Sequence, residues 1–405
     1  MIWVIGDIHG MFDPLKRAIE SIRDHDDPAD PVERLIFIGD YIDHGPSSRE
    51  VIDLILGLDY ETVCLAGNHE DLALRFMYFD EKVAESSGLV WFENGALDTY
   101  NSIYDHKDKS KKILKANIIY NECKYYYDDK INLNRYQEIK LPAKYEKFLK
   151  ELKYSHREVF DIRGREQAFS FFHALPSGGM ALREQLVGSY GEFTRLLERK
   201  AAEELESVAH MTRGESETLR RDGVCRAHSR ALERSHLWNR DYVPGHLFDG
   251  NDRFRGHGGE VVVHGHTPTC KYRDYYSLEE LRMEGLHGQF EAFPSGTSLP
   301  FLFCDAPDSG YGRQGRETFE KGSPNGDFGN LIDYGCDEGH GVEAINIDTG
   351  AVLGGALTAL GLSDRRLADG HLLLLTVRLS APQSDEGERV LDRTVHVGHF
   401  GGTSR

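Results

Sequence analysis

Little in this sequence points to a membrane, to export or to nucleic acid. No apolar run is long enough to span a bilayer. Met1 leads straight into an apolar, strand-like run, without the charged start, apolar stretch and small-residue cleavage site of a secretory leader. The six cysteines, Cys64, Cys123, Cys225, Cys270, Cys304 and Cys336, are scattered and form no CxxC pair, which argues against a zinc knuckle or a small disulfide framework and leaves reduced thiols. Basic residues are in the minority, 48 against 67 acidic, and the formal charge of -19 opposes any whole-surface attraction to nucleic acid or anionic membrane. No GxxxxGK loop is present, so a nucleotide-powered reaction is not indicated. The expectation is a soluble cytoplasmic protein with neither nucleic acid nor membrane among its partners. Its oligomeric state stays open.

What is present is enough apolar material, 40% of 405 residues, for a large core. Short apolar runs that end in Gly, Asp, Asn or His recur at Ile2 to Ile5, Leu35 to Ile38, Thr62 to Leu65, Phe169 to Phe172 and Val261 to Val263. They read as buried strands. Amphipathic stretches follow the first two, Asp13 to Ile22 and Ser48 to Leu56, with Asp13 and Ser48 placed to cap helix starts. Toward the C-terminus, Ala344 to Ile347, Ala351 to Leu360 and His371 to Leu379 read as strands completing a second sheet packed on the first. The architecture expected is α/β: a sandwich of two mixed sheets flanked by helices, one domain over 1–380 and a loose tail over 381–405.

Three stretches interrupt that rhythm and read as insertions, at about 100–160, 191–235 and 271–341. Lys107 to Lys153 holds 12 of the 17 lysines and many tyrosines; 13 basic residues against 7 acidic leave it at +6 and the rest of the chain at -25. It suits a helical cap, either simply solvated or forming a cationic rim that steers anions. The second insertion has Arg and Glu at helical spacings, and the third is rich in Gly, aromatic and acidic residues with little periodicity. The second should be helical and the third mostly loop.

Polar clusters sit where the strand-like runs end, which is where α/β proteins collect their site residues. Gly6-Asp7-Ile8-His9-Gly10 places a carboxylate and an imidazole two positions apart, on the same side of an extended segment, where both can grip one ion. Gly39-Asp40-Tyr41-Ile42-Asp43-His44-Gly45 follows the second run and Gly67-Asn68-His69-Glu70 the third. Phe172-His173-Ala174 and His264-Gly265-His266-Thr267 follow later ones. Five such clusters on five strand ends are a poor coincidence.

In this order these elements resemble the phosphoprotein phosphatase branch of the calcineurin-like metallophosphoesterases, the bacterial and phage type above all. Trp91-Phe92-Glu93-Asn94-Gly95, Trp238-Asn239-Arg240 and Asp348-Thr349-Gly350-Ala351 extend the likeness, while the three insertions match nothing in it. The resemblance implies two divalent ions, manganese first, with iron or zinc as alternatives. Asp7 and His9 would hold one, Asn68, His173 and His266 the other, and Asp40 would bridge them. Water acidified between the ions would attack phosphorus in line. His69 would be the general acid with Asp43 behind it, and Asn68, Arg240 and the residue at position 44 would meet the substrate phosphate.

One position departs from the pattern. The residue after the second Asp of GDxxDRG is ordinarily Arg, and here it is His44, so one permanently charged, two-toothed phosphate contact is missing or weakened. His264 lies two residues from His266 and could exchange with it as ligand, with the motif favouring His266. Cys225-Arg226-Ala227-His228 follows a polar run, and His228 reads as a helix-surface residue. The substrate implied is phospho-Ser or phospho-Thr of proteins, with phospho-Tyr or a small phosphoester in reach. Dinucleoside polyphosphate hydrolysis and a non-catalytic metal-containing interaction module are the other readings.

Overall fold

The computed structural model describes residues 1–24, 26–78, 87–88, 90–104, 141–177, 180–209, 231–232, 235–239, 260–266, 268, 301–304, 342–353, 356–369, 371–379 and 391–399. In chain order the elements are β1 (Ile2–Ile5), α1 (Phe12–Asp24), β2 (Arg34–Phe37), α2 (Ser48–Leu56), β3 (Glu61–Cys64), α3 (Asn68–Tyr78), α4 (Ala96–Ile103), α5 (Ala143–Glu151), β4 (His156–Ile162) and β5 (Arg165–Phe171). They continue with α6 (Leu182–Gln185), α7 (Tyr190–Ala209), β6 (Val261–His264), β7 (Phe301–Cys304), β8 (Val342–Asn346), a 3-10 turn (Ala351–Leu353), β9 (Ala356–Leu362), α8 (Asp364–Ala368), β10 (His371–Leu379) and β11 (Leu391–His399).

Two mixed sheets result, in the orders β11-β10-β9-β1-β2-β3 and β4-β5-β6-β8-β7. Each has three parallel strands, β1, β2 and β3 in the first and β5, β6 and β8 in the second. A strand's two faces alternate, and here both are covered, which is why the runs are apolar throughout. Val4, Ile36, Ile38 and Val63 of the first sheet pack between the sheets against Phe169, Phe171, Val261, Val263 and Ile345 of the second. The neighbours Trp3, Ile5, Leu35 and Phe37 face outward onto Leu15, Ala18, Ile19 and Ile22 of α1 and Val51, Ile52 and Ile55 of α2. On the far side of the second sheet Val262 joins Phe172, Leu175 and Leu182. Among the described residues no helix is long and apolar enough to cross a membrane.

The α/β sandwich is as expected; several details differ. The C-terminal strands do not build a second sheet together: β8 enters the second sheet, while β9 and β10 extend the first. Ala351 to Leu360 is not one strand, because a 3-10 turn precedes β9. The region given to a loose tail holds β11, paired antiparallel along all of β10. Neither proposed cap acts as one. Asp13 lies inside the first turn of α1, where its charge still suits the helix dipole. Ser47 stands at the start of α2 without a side-chain cap bond, and the Ser48 hydroxyl lies 3.3 Å from the Thr99 hydroxyl. The helix expected in the second insertion is present as α7. In the third, β7 was not foreseen. Residues 105–140 of the Lys/Tyr-rich stretch and Cys225 to His228 lie outside the described residues.

Candidate metal centre

The six parallel strands end at one edge, and the loops leaving five of them bring the proposed ligands together. Asp7 and His9 follow β1, Asp40, Asp43 and His44 follow β2, and Asn68 and His69 open α3 just after β3. His173 follows β5 and His266 follows β6. Ligand atoms of Asp7, His9 and Asp40 lie within 4.8 Å of one another, as do those of Asp40, His173 and His266. All of these are buried except His9, which is half-buried. Arg240, the proposed phosphate contact, lies outside the described residues.

Hydrogen bonds fix which ring nitrogen faces inward. His9 Nδ1 lies 3.1 Å from the Ile42 carbonyl, so it donates there and leaves the lone pair of Nε2 facing Asp40 Oδ2 at 3.3 Å. His173 Nδ1 donates to the Ile38 carbonyl at 3.0 Å, and its Nε2 meets Asn68 Oδ1 at 2.9 Å, His266 Nδ1 at 3.2 Å and Asp40 Oδ2 at 3.5 Å. His266 Nδ1 is also 2.9 Å from Asn68 Oδ1. Carboxylate, amide and imidazole donor atoms thus crowd together, a set that suits a cation.

Asp7 makes the same point. Its Oδ2 accepts from the His266 backbone N–H at 2.9 Å, while the buried Oδ1 has no hydrogen-bond partner. Burial, with Asp348 and Asp40 nearby, holds its carboxyl well above the usual range. Burial likewise pushes Asp40 up to about 8, although His69 opposes the shift. Buried acidic groups in this state lack positive charge, and the oxygen and nitrogen donors suit a divalent ion such as Mn, Fe or Zn. The residues present therefore fit the two-ion centre expected of them.

The backbone is shaped to allow this approach. His9, Asp40, Asp43, His44 and His266 all have positive φ, between 46° and 71°, a region costly for side-chain-bearing residues and concentrated here at the site. Glycine is needed at Gly67 and Gly265, where a Cβ would run into the carboxylates of Asp40 and Asp7. Two contributors escaped the sequence reading. Buried Glu70 accepts four backbone N–H groups: Tyr41 and Ile42 donate to Oε1 at 2.9 and 3.3 Å, Asp40 and Gly67 to Oε2 at 2.9 Å each. One carboxylate so ties the loop after β2 to the loop after β3. Asp348, buried after β8, adds negative charge beside Asp7 and Asp40. The signals were a charged residue at the end of GNHE and an Asp in a sixth strand-end loop.

Beside the ligands lies a dyad. His69 Nδ1 is 2.7 Å from Asp43 Oδ2, and that carboxylate also accepts from Trp91 Nε1 at 2.7 Å and from the Thr99 hydroxyl at 2.5 Å. Burial works against protonation of His69, but the Asp40 and Asp43 carboxylates outweigh it and raise the imidazolium to about 9. The ring turns Nε2 toward the centre, 4.0 Å from Asp40 Oδ2. The stretch just before the first insertion meets the site here, through Thr99 of α4 and through Gly95, which packs on the His44 backbone. His44 is exposed at the rim, its ring 5.0 Å from those of His9 and His69. Of the two late histidines, His266 lies beside Asp40 and His173, while His264 is buried with its Nδ1 3.1 Å from the Gly265 carbonyl.

The sequence model of calcineurin-like phosphoesterases matches residues 1–270. Among characterised relatives, serine/threonine-protein phosphatase 1 of Salmonella typhimurium is 34% identical over 95 residues, 23% of this chain and 38% of that protein. Serine/threonine-protein phosphatase 2 of Escherichia coli is 36% identical over 92 residues, 22% of this chain and 39% of that one. The symmetrical bis(5'-nucleosyl)-tetraphosphatase of Methylococcus capsulatus is 41% identical over 69 residues, 17% of this chain and 23% of that one. The chain thus spans less than two fifths of the length of each of these relatives. With the family match covering well over half of its residues, the chain belongs to the calcineurin-like phosphoesterase family.

Proposed function

We propose that this chain hydrolyses phosphate monoesters at a centre of two divalent cations, manganese before iron or zinc. The observation that carries this reading is the convergence of carboxylate, amide and imidazole metal-donor atoms from five loops. Asp7, His9 and Asp40 would hold one ion and Asp40, Asn68, His173 and His266 the other. Such a pair supplies an acidified water and neutralises charge on the phosphoryl oxygens.

The chain's own groups supply the rest. His69 gives the proton on Nε2 to the departing alkoxide, while Asp43 accepts its Nδ1 N–H, fixing the tautomer and supporting the charge. Trp91 and Thr99 hold Asp43 in that orientation. Asn68, Arg240 and His44 are the groups assigned to the substrate phosphate. His44 lacks the planar, permanently charged two-toothed fork of an arginine, so this contact should be weaker than an arginine's.

The substrate class we favour is phospho-Ser or phospho-Thr in proteins, with phospho-Tyr within scope, and the two protein phosphatases among the relatives support it. The tetraphosphatase relative supports the second reading, dinucleoside polyphosphates. Steady-state assays with Mn2+ on phosphopeptides and on diadenosine tetraphosphate separate the two. Turnover of phosphopeptides is expected; turnover of the dinucleotide alone would overturn the choice of substrate. Release of phosphate from neither these nor an aryl phosphate, with Mn, Fe or Zn, would leave a metal-containing interaction module instead.

A further inference from the structure

His44 stands where the family resemblance leads one to expect arginine, and the change does more than remove a charge. Its ring forms a triangle with those of His9 and His69: centroids lie 5.0 Å apart for His9 and His44, 5.0 Å for His44 and His69, and 4.8 Å for His9 and His69, with interplanar angles of 64° to 77°. One nitrogen from each falls within 4.8 Å of the other two. His9 and His69 have committed Nδ1 to Ile42 and Asp43, so both offer Nε2 to the space between the rings. The Asp40 carboxylate lies 3.3 Å from one of these nitrogens and 4.0 Å from the other, adding negative charge beside the triangle.

Three imidazoles with a neighbouring carboxylate make a donor set for zinc or another imidazole-preferring dication. Zinc–nitrogen bonds are about 2.0–2.1 Å, so seating an ion draws the three nitrogens, which lie within 4.8 Å of one another, to tetrahedral spacing. The closing movement falls to His44, the exposed member of the three. An arginine at this position could not ligate, since its guanidinium has no lone pair to give. Histidine at this position brings a lone pair where arginine has none.

We propose that His44, His69 and His9 form an alternative seat for a zinc-class cation, which shares His9 Nε2 with the proposed centre and is filled at the expense of the ion held there. An ion seated there takes His69 Nε2, the atom that gives the proton, and competes for His9. Zinc that takes this seat in place of the centre's own ion should then block turnover. That consequence, though not the seat itself, rests on the proposed hydrolytic function.

The test uses zinc binding in a background where the shared bridge is disabled. Asp40→Asn protein, alone and combined with His44→Asn, is titrated with Zn2+ by calorimetry and analysed for bound zinc after gel filtration. Asparagine tolerates the positive φ at this position. Removing His44 should eliminate one zinc per chain or weaken one binding event by about tenfold or more, in keeping with the loss of an imidazole partner. His44→Cys in the same background, which supplies a thiolate, should keep that zinc and so separates ligation from folding. Equal zinc number and affinity in Asp40→Asn and in the His44→Asn double variant would overturn the proposal, as would loss of that zinc in the His44→Cys variant. Failure of wild-type protein to bind Mn2+ would sink the proposed centre without changing this comparison.

Discussion

Glu70→Gln is the substitution whose cost can be worked most directly from the structure. The Glu70 carboxylate is buried, and each of its oxygens accepts two backbone N–H groups. Burial pushes this carboxyl above its ordinary range, while the Gly67 amide, charge on His69 and the Tyr41 amide pull it back. Glutamine has the same shape but replaces one oxygen with NH2, a donor facing two donors. Turning the amide over only changes which pair loses its acceptor. Two buried N–H groups without partners, at about 1–3 kcal/mol each, give a loss of roughly 2–6 kcal/mol. That is a large part of the roughly 5–15 kcal/mol by which domains are stable. Urea unfolding monitored by circular dichroism should show the midpoint falling without a change in slope, and metal content should fall as the loop carrying Asp40 loosens. A Glu70→Gln protein within about 0.5 kcal/mol of wild type would refute the claim that this side chain fastens the two loops together.

Two other outcomes follow from neighbouring groups. His69→Asn should leave the metal content unchanged and slow substrates with poor leaving groups most, read from kcat across aryl phosphates of graded acidity; an equal loss on all of them would remove the acid role. His236 is buried between the rings of Phe172 and Phe193, and burial, aided by Lys200, lowers its imidazolium to about 3. The unfolded chain then binds a proton below about 6.5 that the folded chain refuses, so stability is full above that pH and is lost as pH falls toward 3. The loss between pH 7 and pH 5 should be about 2 kcal/mol, and His236→Phe should flatten that part of the stability profile. An unchanged profile would mean that another group carries it.

Much of the centre was legible because it lies at strand ends. Runs such as Ile2 to Ile5 and Val261 to Val263 are apolar on both faces, and the polar residues just beyond them can only belong to the loops at one edge. What escaped lacks that contrast. β4 opens with three polar residues at a sheet edge, and β11 reads as polar, so each depends on a partner strand that sequence alone does not reveal. The β4–β5 turn at Arg163 and Gly164, both at positive φ, is a two-residue hairpin whose second position alone is glycine. Ser48 looked like a cap because it precedes an apolar periodicity, yet its hydroxyl faces Thr99 in α4, a long-range contact with no local trace. Glu70 and Asp348 were visible as residues but not as contributors, because their roles depend on backbone amides and carboxylates distant in the chain.

The account stands on Asp40 joining two sets of ligands, and metal content tests this most directly. Wild-type protein and Asp40→Asn, each incubated with Mn2+ and passed through gel filtration, are compared by elemental analysis alongside turnover of an aryl phosphate. Wild type should retain two ions per chain, and Asp40→Asn should lose them together with nearly all turnover. Full turnover by an Asp40→Asn protein that no longer holds metal would contradict the two-ion centre.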